Sequence, residues 1–329
     1  MKHEIHEVLR TKYNALGILA GLVIFAALAG KAETISIVVS SNAAPRVEFG
    51  AERLAEALKG VKVDAAIVHS ENVSGRKIHL EAPHDPAAGH EGFRIDSTGN
   101  DDLVVTAGDD SGTLYGCLEL ARQIRDQGKL PRIANFADQP AFTLRGTCIG
   151  MQKTYILPGR HVYEYPYTPE LFPWFYDKQM WSEYLDFLVE NRMNTLYLWS
   201  GHPFASLVRL KDYPYAVEVP DDVFQRNQEM FRWLTQECDK RGIWLVQMFY
   251  NILVSKPFAE TNGISTQLAA PTPLTEDYTR KSIAEFVKDY PHVGLMVCLG
   301  EALRDTPNQL EWCTNVILPG VLDGMKGAG

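Results

Sequence analysis

The chain has 329 residues, of which 46% are hydrophobic, enough for two globular units with cores of their own. This composition excludes a disordered chain. The formal net charge of −9 comes from 41 acidic and 32 basic residues, and no lysine- and arginine-rich run is present that would follow a phosphate backbone. We therefore expect no nucleic-acid partner.

The first thirty residues have the pattern of an export signal. Basic residues at the start precede an apolar run over residues 15–30, which ends in Ala27-Leu28-Ala29. The pattern predicts a signal peptide over residues 1–29 and export to the periplasm or the medium. The alternative is an uncleaved membrane anchor, although this run of about sixteen residues is shorter than the ~20 that span a bilayer. A membrane is thus an expected partner only through this segment.

Neither the cysteines nor the histidines form a metal-binding pattern. The five cysteines are widely spaced, lack a C-x-x-C pair and lie mostly in apolar stretches, which is typical of buried thiols. No H-E-x-x-H or paired-carboxylate frame surrounds the histidines at positions 69, 79, 84 and 90. We expect no metal and no other cofactor.

Residues 30–139 predict a small α/β domain. Strands are expected over residues 35–40, 64–68, 77–80, 92–97 and 103–107, and helices over 48–58 and 111–127. The second helix has Asp110 or Ser111 as its predicted cap and ends at Gly128. Residues 129–140 are rich in polar residues and proline and lack periodicity, so they predict a linker and a domain boundary near Pro140.

Beyond the linker, strands and helices alternate regularly. Apolar strands are expected over residues 142–149, 194–199, 243–249 and 293–299, and helices over 179–192, 222–241 and 276–288. Strands so uniformly apolar are typical of a parallel sheet covered on both faces. The pattern fits an open doubly wound sheet or a (β/α) barrel, and no glycine-rich nucleotide-binding sequence follows any of the strands.

Two segments resemble a known group of enzymes. Residues 101–125, DDLVVTAGDDSGTLYGCLELARQIR, resemble the end of the non-catalytic domain that precedes the barrel in family 20 hexosaminidases and family 67 α-glucuronidases. Residues 140–146, PAFTLRG, resemble the entry of those families into the first barrel strand. The resemblance implies a hexosaminidase-like α/β domain, the beginning of a (β/α)8 TIM barrel over residues 140–329, and glycoside hydrolysis.

In those families the acid glutamate follows the fourth barrel strand, and here Glu301 follows the fourth apolar run, VGLMVCLGEAL. Because glycoside cleavage needs a carboxylic acid that protonates the leaving oxygen, Glu301 is the predicted general acid. The alternative is an ordinary loop or capping glutamate. Hexosaminidases have an aspartate before this glutamate, whereas this chain has Gly300. This difference favours a uronic-acid-bearing, α-glucuronidase-like substrate over a β-N-acetylhexosaminidase-like reaction.

Loops that follow barrel strands converge on one mouth, where substrates bind. The predicted substrate-binding residues are Trp199, His202, Gln247, Tyr250, Asn251 and Arg160. Arg160 belongs to a long aromatic loop and could bind a carboxylate. The structural alternatives are a turn residue at His202, a core amide at Gln247 and an aromatic loop that packs on itself.

Four strands at about fifty-residue spacing occupy residues 142–329, whereas a closed barrel has eight strands. We therefore expect about half a barrel, an open edge at the fourth strand, an exposed apolar wall and a second catalytic carboxylate beyond Gly329. Such a chain is expected to be poorly active alone. The expected partner is a carbohydrate, and the alternative to a poly- or oligosaccharide hydrolase is a non-catalytic carbohydrate-binding protein on the same scaffold.

Overall fold

The computed structural model describes residues 34–70, 72–80, 84–99, 101–132, 135–162, 164–250, 252–299, 303 and 305–328. The predicted signal segment, Asn251 and Glu301 lie outside these residues. The chain divides into two compact units between Pro140 and Ala141. Within the described ranges, no helix combines the length and the apolar character needed to cross a bilayer.

The first unit is a six-stranded mixed sheet with two helices. Its strands are β1 (Ile35–Val38), β2 (Ala65–Val68), β3 (Lys77–Leu80), β4 (Phe93–Ser97), β5 (Leu103–Ala107) and β6 (Asn135–Asp138). They lie in the order β2-β1-β3-β5-β4-β6, and β4 runs antiparallel to both β5 and β6. Residues 129–140, which were predicted as a linker, contain β6. This edge strand is mostly exposed and only its two central residues are apolar, so the sequence has no extended apolar pattern there.

Helices α1 (Pro45–Gly60) and α2 (Asp110–Gln127) cover one face of this sheet. The covered face holds buried apolar side chains such as Ile78, Ile95 and Val105. Ile95 and Val105 are directly paired, and Ile78 lies on the strand next to that of Val105. The cap of α2 is Asp109, one residue before the predicted positions, and its carboxylate accepts a hydrogen bond from the amide of Gly112 at 2.8 Å. Alternation along the strands places charged and polar side chains on the opposite face. They are Lys77, His79, Arg94 and Asp96.

The second unit is built on four parallel strands in the order β10-β9-β8-β7. The strands are β7 (Gly146–Gly150), β8 (Thr195–Trp199), β9 (Trp244–Tyr250) and β10 (Gly294–Cys298). The helices are α3 (Lys178–Glu190), α4 (Phe204–Leu207), α5 (Asp221–Lys240), α6 (Lys256–Asn262), α7 (Pro273–Asp289), α8 (Thr306–Trp312) and α9 (Leu318–Ala328). The alternation of parallel strands and helices was predicted, whereas the short helices α4 and α6 and the last helices α8 and α9 were not. The first strand begins four residues later than predicted, and Phe142 is 73% exposed.

One face of the second sheet is buried beneath helices. Leu198 of β8 and Phe249 of β9 belong to this face, and Phe249 contacts Phe204 of α4 with ring centroids 5.1 Å apart. Phe204 in turn contacts Phe286 of α7. The opposite face carries aromatic and methionine side chains that remain partly exposed. They are Tyr197, Trp199, Met248, Tyr250 and Met296. Closure of this sheet into a barrel stays a prediction.

A buried amide fixes the loops of this unit. The Asn227 side chain of α5 donates hydrogen bonds to the carbonyl oxygens of Tyr167 and Ser206, at 2.9 and 3.1 Å, and accepts one from the Tyr176 hydroxyl. Tyr167 and Tyr176 belong to the segment after β7, and Ser206 belongs to the segment after β8. One side chain on an outer helix therefore anchors two neighbouring loops.

Candidate active site at the carboxyl ends of the second sheet

The parallel strands of the second sheet end at one edge, and the segments that follow them are joined by backbone hydrogen bonds. The Met151 amide donates to the Trp199 carbonyl at 2.8 Å, and the Tyr250 amide donates to the Gly201 carbonyl at 3.1 Å. Cys298, the last residue of β10, lies beside Tyr250 in register. The chain thus leaves all four strands along a single edge, as the sequence predicted for a substrate-binding mouth.

Trp199 and Tyr250 form an aromatic pair at this edge. Their ring centroids are 5.0 Å apart at an interplanar angle of 73°, and both side chains are half-buried. Gly150 lies beside Trp199 in register, and a methyl group at this glycine would first meet the Gln152 Oε1 atom, at 4.0 Å. Among the described residues, no other atom lies within 4 Å of that methyl position. Two of the predicted binding residues come together here in an arrangement suited to stacking against a sugar ring.

His202 and Gln247 lie in the core instead. The His202 Nε2 atom is 2.9 Å from the Tyr278 hydroxyl, and burial, with a contribution from the positive charge of Arg160, lowers the pKa of His202 to about 3. This histidine is therefore uncharged at neutral pH. The Gln247 amide donates to the carbonyl oxygens of Leu198 and Met248, both at 3.0 Å. The Gln247 contacts agree with the alternative of a core amide, whereas His202 is a buried core residue and not the turn residue of its alternative. A role of either residue in binding substrate stays a prediction.

Arg160 is also occupied by protein groups. Its guanidinium donates to Glu164 Oε2 at 2.9 Å and to Glu218 Oε1, and the three side chains are only 4%, 1% and 7% exposed. Burial and the nearby Glu218 carboxylate raise the pKa of Glu164 to about 8, although Arg160 opposes this shift. Arg160 and Glu164 lie four residues apart in a loop, where this spacing does not indicate an ion pair as it would on a helix. The prediction that Arg160 binds a substrate carboxylate gains no support from this geometry.

The aromatic loop after β7 packs mainly on itself. Tyr165, Tyr167 and Phe172 are buried, and the Phe172 ring meets the rings of both tyrosines edge-on. Phe175 meets Tyr167 in the same way, with ring centroids 5.3 Å apart. Tyr155 is the exception, because it is about half exposed. Most of these rings therefore stabilise the loop and are not available to a ligand.

The remaining predicted residues are not described. Asn251 and Glu301 follow β9 and β10 in the sequence, so their roles stay predictions. Among the described residues, no group of three or more histidine, cysteine, aspartate or glutamate side chains could hold a metal ion.

The sequence and fold of the chain are those of a glycoside hydrolase. A GH138 enzyme targeting pectin rhamnogalacturonan II shares 49% sequence identity with it, with a TM-score of 0.84 over 89% of this chain and 42% of that enzyme. Flavobacterium johnsoniae chitobiase shares 18% identity, with a TM-score of 0.51 over 88% of this chain and 44% of the chitobiase. The GH20 β-N-acetylhexosaminidase of Streptomyces coelicolor A3(2) shares 16%, with a TM-score of 0.53 over 89% of this chain and 60% of that enzyme.

The chain therefore spans less than two thirds of each of these proteins. No protein-family model matches the sequence, and no curated protein matches it. The predicted glycoside-hydrolase scaffold is confirmed, and the similarity to the hexosaminidases is one of fold. Membership of family 20 or family 67 does not follow from these matches.

Proposed function

We propose that this protein is an exported glycoside hydrolase that acts on pectin-derived oligosaccharides of the rhamnogalacturonan II kind, with Glu301 as its general acid. The 49% identity to an enzyme that targets this pectin carries the proposal. A uronic-acid-bearing substrate agrees with the Gly300-Glu301 sequence, which lacks the aspartate of the hexosaminidases. A β-N-acetylhexosaminidase reaction is not favoured, because the hexosaminidases share only the fold.

The aromatic pair supplies the binding surface in this proposal. The rings of Trp199 and Tyr250 lie where the strands end, and among the described residues only Gln152 comes within 4 Å of a methyl group placed on the neighbouring Gly150. The C–H face of a pyranose can stack on such a ring while its hydroxyls reach polar groups around it. Cys298, the last residue of β10, pairs with Tyr250, and Glu301 comes three residues after Cys298 in the sequence.

The reaction requires one carboxylic acid that donates a proton to the leaving oxygen and one carboxylate that activates water or attacks the anomeric carbon. We propose Glu301 for the first role. Glu164 and Glu218 are not candidates for the second, because both are buried and bound to Arg160. The second carboxylate is therefore not assigned to either of them.

The proposal is tested by Glu301→Gln, with Glu311→Gln as the matched control on an exposed position of α8. We expect Glu301→Gln to reduce the release of reducing ends from rhamnogalacturonan II oligosaccharides by about 100-fold or more, since proton donation contributes on the order of 10² to 10⁴ in rate. The dissociation constant measured by titration calorimetry should stay unchanged. Glu311→Gln should leave both quantities at the parent values.

Three outcomes would contradict this assignment. Full hydrolysis by Glu301→Gln would remove that residue from catalysis. Binding of the oligosaccharides without hydrolysis, both by this chain and by any longer protein that contains it, would favour the carbohydrate-binding alternative. Neither binding nor hydrolysis of any rhamnogalacturonan II fragment would refute the substrate class.

A further inference from the structure

Arg160, Glu164 and Glu218, named here the acid clasp, connect the segments that follow three strands. Arg160 and Glu164 belong to the segment after β7, and Glu218 belongs to the segment after β8. The Glu218 carboxylate also accepts a hydrogen bond from the backbone amide of Lys256, the first residue of α6 after β9. These loops are not part of the sheet, and the buried Arg160 guanidinium and its two carboxylate partners connect them.

Close packing surrounds the clasp. A methyl group on Gly201, which begins the segment after β8, would lie 3.1 Å from the Cγ atom of Glu164. A methyl group on Gly159 would lie 2.8 Å from the Cε atom of Lys256. The side chains of Glu164 and Glu218 are themselves only 1% and 7% exposed, so little water reaches their carboxylates. Any charge in the clasp must therefore be balanced by protein groups.

The charges of the clasp do not balance when both glutamates are ionised. Two carboxylates face one guanidinium, and among the described residues the buried Oε1 atom of Glu164 has no hydrogen-bond partner. Lys256 also faces Glu218, but its ammonium pairs with Glu260 at 2.6 Å. The uncharged His202 faces Arg160, and the neutral Tyr278 faces both glutamates. An ionised carboxylate with a buried oxygen that nothing binds is costly, because it loses its hydration without compensation.

We propose that Glu164 carries a proton in the folded protein and that the clasp, with its charges balanced in this way, holds the strand-end segments together until the proton is lost. The clasp is a positioning device rather than part of the chemistry, because its side chains are buried. The proposal does not depend on the proposed function, since it concerns only how firmly the loops are held in place.

The direction of the pH dependence follows from the raised pKa of Glu164. Burial, together with the Glu218 carboxylate, raises this pKa from the ordinary 4.5 of glutamate to about 8 in the folded protein. A proton held more tightly in the folded state stabilises that state fully below the unfolded pKa. The stabilisation is lost as the pH rises through the folded pKa. The segments should therefore loosen in mildly alkaline solution, not in acid.

Hydrogen–deuterium exchange of the whole chain tests this inference. Peptides that cover residues 151–177 and 200–220 should lose protection by about tenfold or more from about pH 6 to about pH 9, after correction for the intrinsic pH dependence of exchange, since one pKa unit corresponds to a tenfold change in the equilibrium. Peptides from β5 of the first unit serve as the internal reference. In Glu164→Gln, which mimics the protonated acid, the same peptides should keep their protection throughout this range.

Two further variants make the result decisive. Glu229→Gln, at an exposed position of α5, should behave like the parent protein. Glu218→Gln leaves one carboxylate for Arg160, so it too should abolish the alkaline loss, and it provides the same test if Glu164→Gln fails to fold. An alkaline loss in Glu164→Gln equal to that of the parent, or no loss in the parent, would overturn the inference.

Discussion

The two sheets of this protein differ on the face that lies away from their helices. In the first sheet this face carries charged side chains such as Lys77, Arg94 and Asp96, as expected for a surface in water. In the second sheet the corresponding face carries Trp199, Met248 and other aromatic or thioether side chains that remain partly exposed. Exposed apolar surface of this kind usually marks a binding site. The comparison therefore assigns support of the fold to the helix-covered faces, whereas ligand contact on the uncovered face of the second sheet stays a prediction.

The largest effect is expected where helices cover the second sheet. Phe249→Ala should lower the free energy of unfolding by about 3 to 5 kcal/mol, because it empties a site packed against Phe204. Met248→Ala, the next residue on the other face, should cost less than about half as much, because its side chain is already partly exposed. Urea unfolding followed by tryptophan fluorescence reports on this unit alone, since all six tryptophans lie beyond residue 140.

Equal losses for the Phe249 and Met248 variants would show that both faces of this sheet contribute alike to stability. The distinction between a supporting face and a binding face would then fail.

A smaller effect, on binding rather than stability, is expected at the aromatic pair. Trp199→Ala should weaken the binding of rhamnogalacturonan II oligosaccharides by on the order of tenfold, since loss of an aromatic anchor costs about 1.4 kcal/mol or more. Titration calorimetry measures this change. The matched control is Trp233→Ala, because Trp233 is also partly buried but packs under Lys178 on the helices. Equal weakening in both variants would mean that the aromatic pair is not the binding surface.

The smallest effect is expected on the charged face of the first sheet. Arg94→Ala should lower the free energy of unfolding by less than about 1 kcal/mol, because Arg94 and its partner Asp96 are both well exposed to water. Urea unfolding followed by circular dichroism measures this change. A loss comparable to that of Phe249→Ala would mean that this face is covered in solution, contrary to the comparison.

The regular part of the fold could be predicted from the sequence because its signals are local. The strands β8 and β9 lie in mostly apolar runs, and both are within one residue of their predicted positions. The edge strand β6 was missed because only the two central residues of Asn135–Asp138 are apolar. The strand predicted from Phe142 onward begins only at Gly146, because apolar residues also occur in exposed loops.

The sequence predicted only those positions in the site that follow directly from the ends of the parallel strands. Trp199 and Tyr250 come together because each ends a neighbouring strand, which the alternating pattern already implied. The pairing of Arg160 could not be foreseen, because Glu218 lies 58 residues away and meets it only after the loops have folded. Position after a strand therefore predicts proximity to the mouth, but not whether a polar group is free to bind a ligand.

The anchoring amide of Asn227 holds part of each loop in place independently of the residues farther along the first loop. Because it binds the carbonyls of Tyr167 and Ser206, backbone atoms rather than side chains, it fixes the loop bases whatever residues occupy them. The exposed stretch around Tyr155 and His161 lies farther out along the first loop. Insertions or substitutions there can change the exposed part of the loop while the hydrogen bonds of Asn227 stay intact.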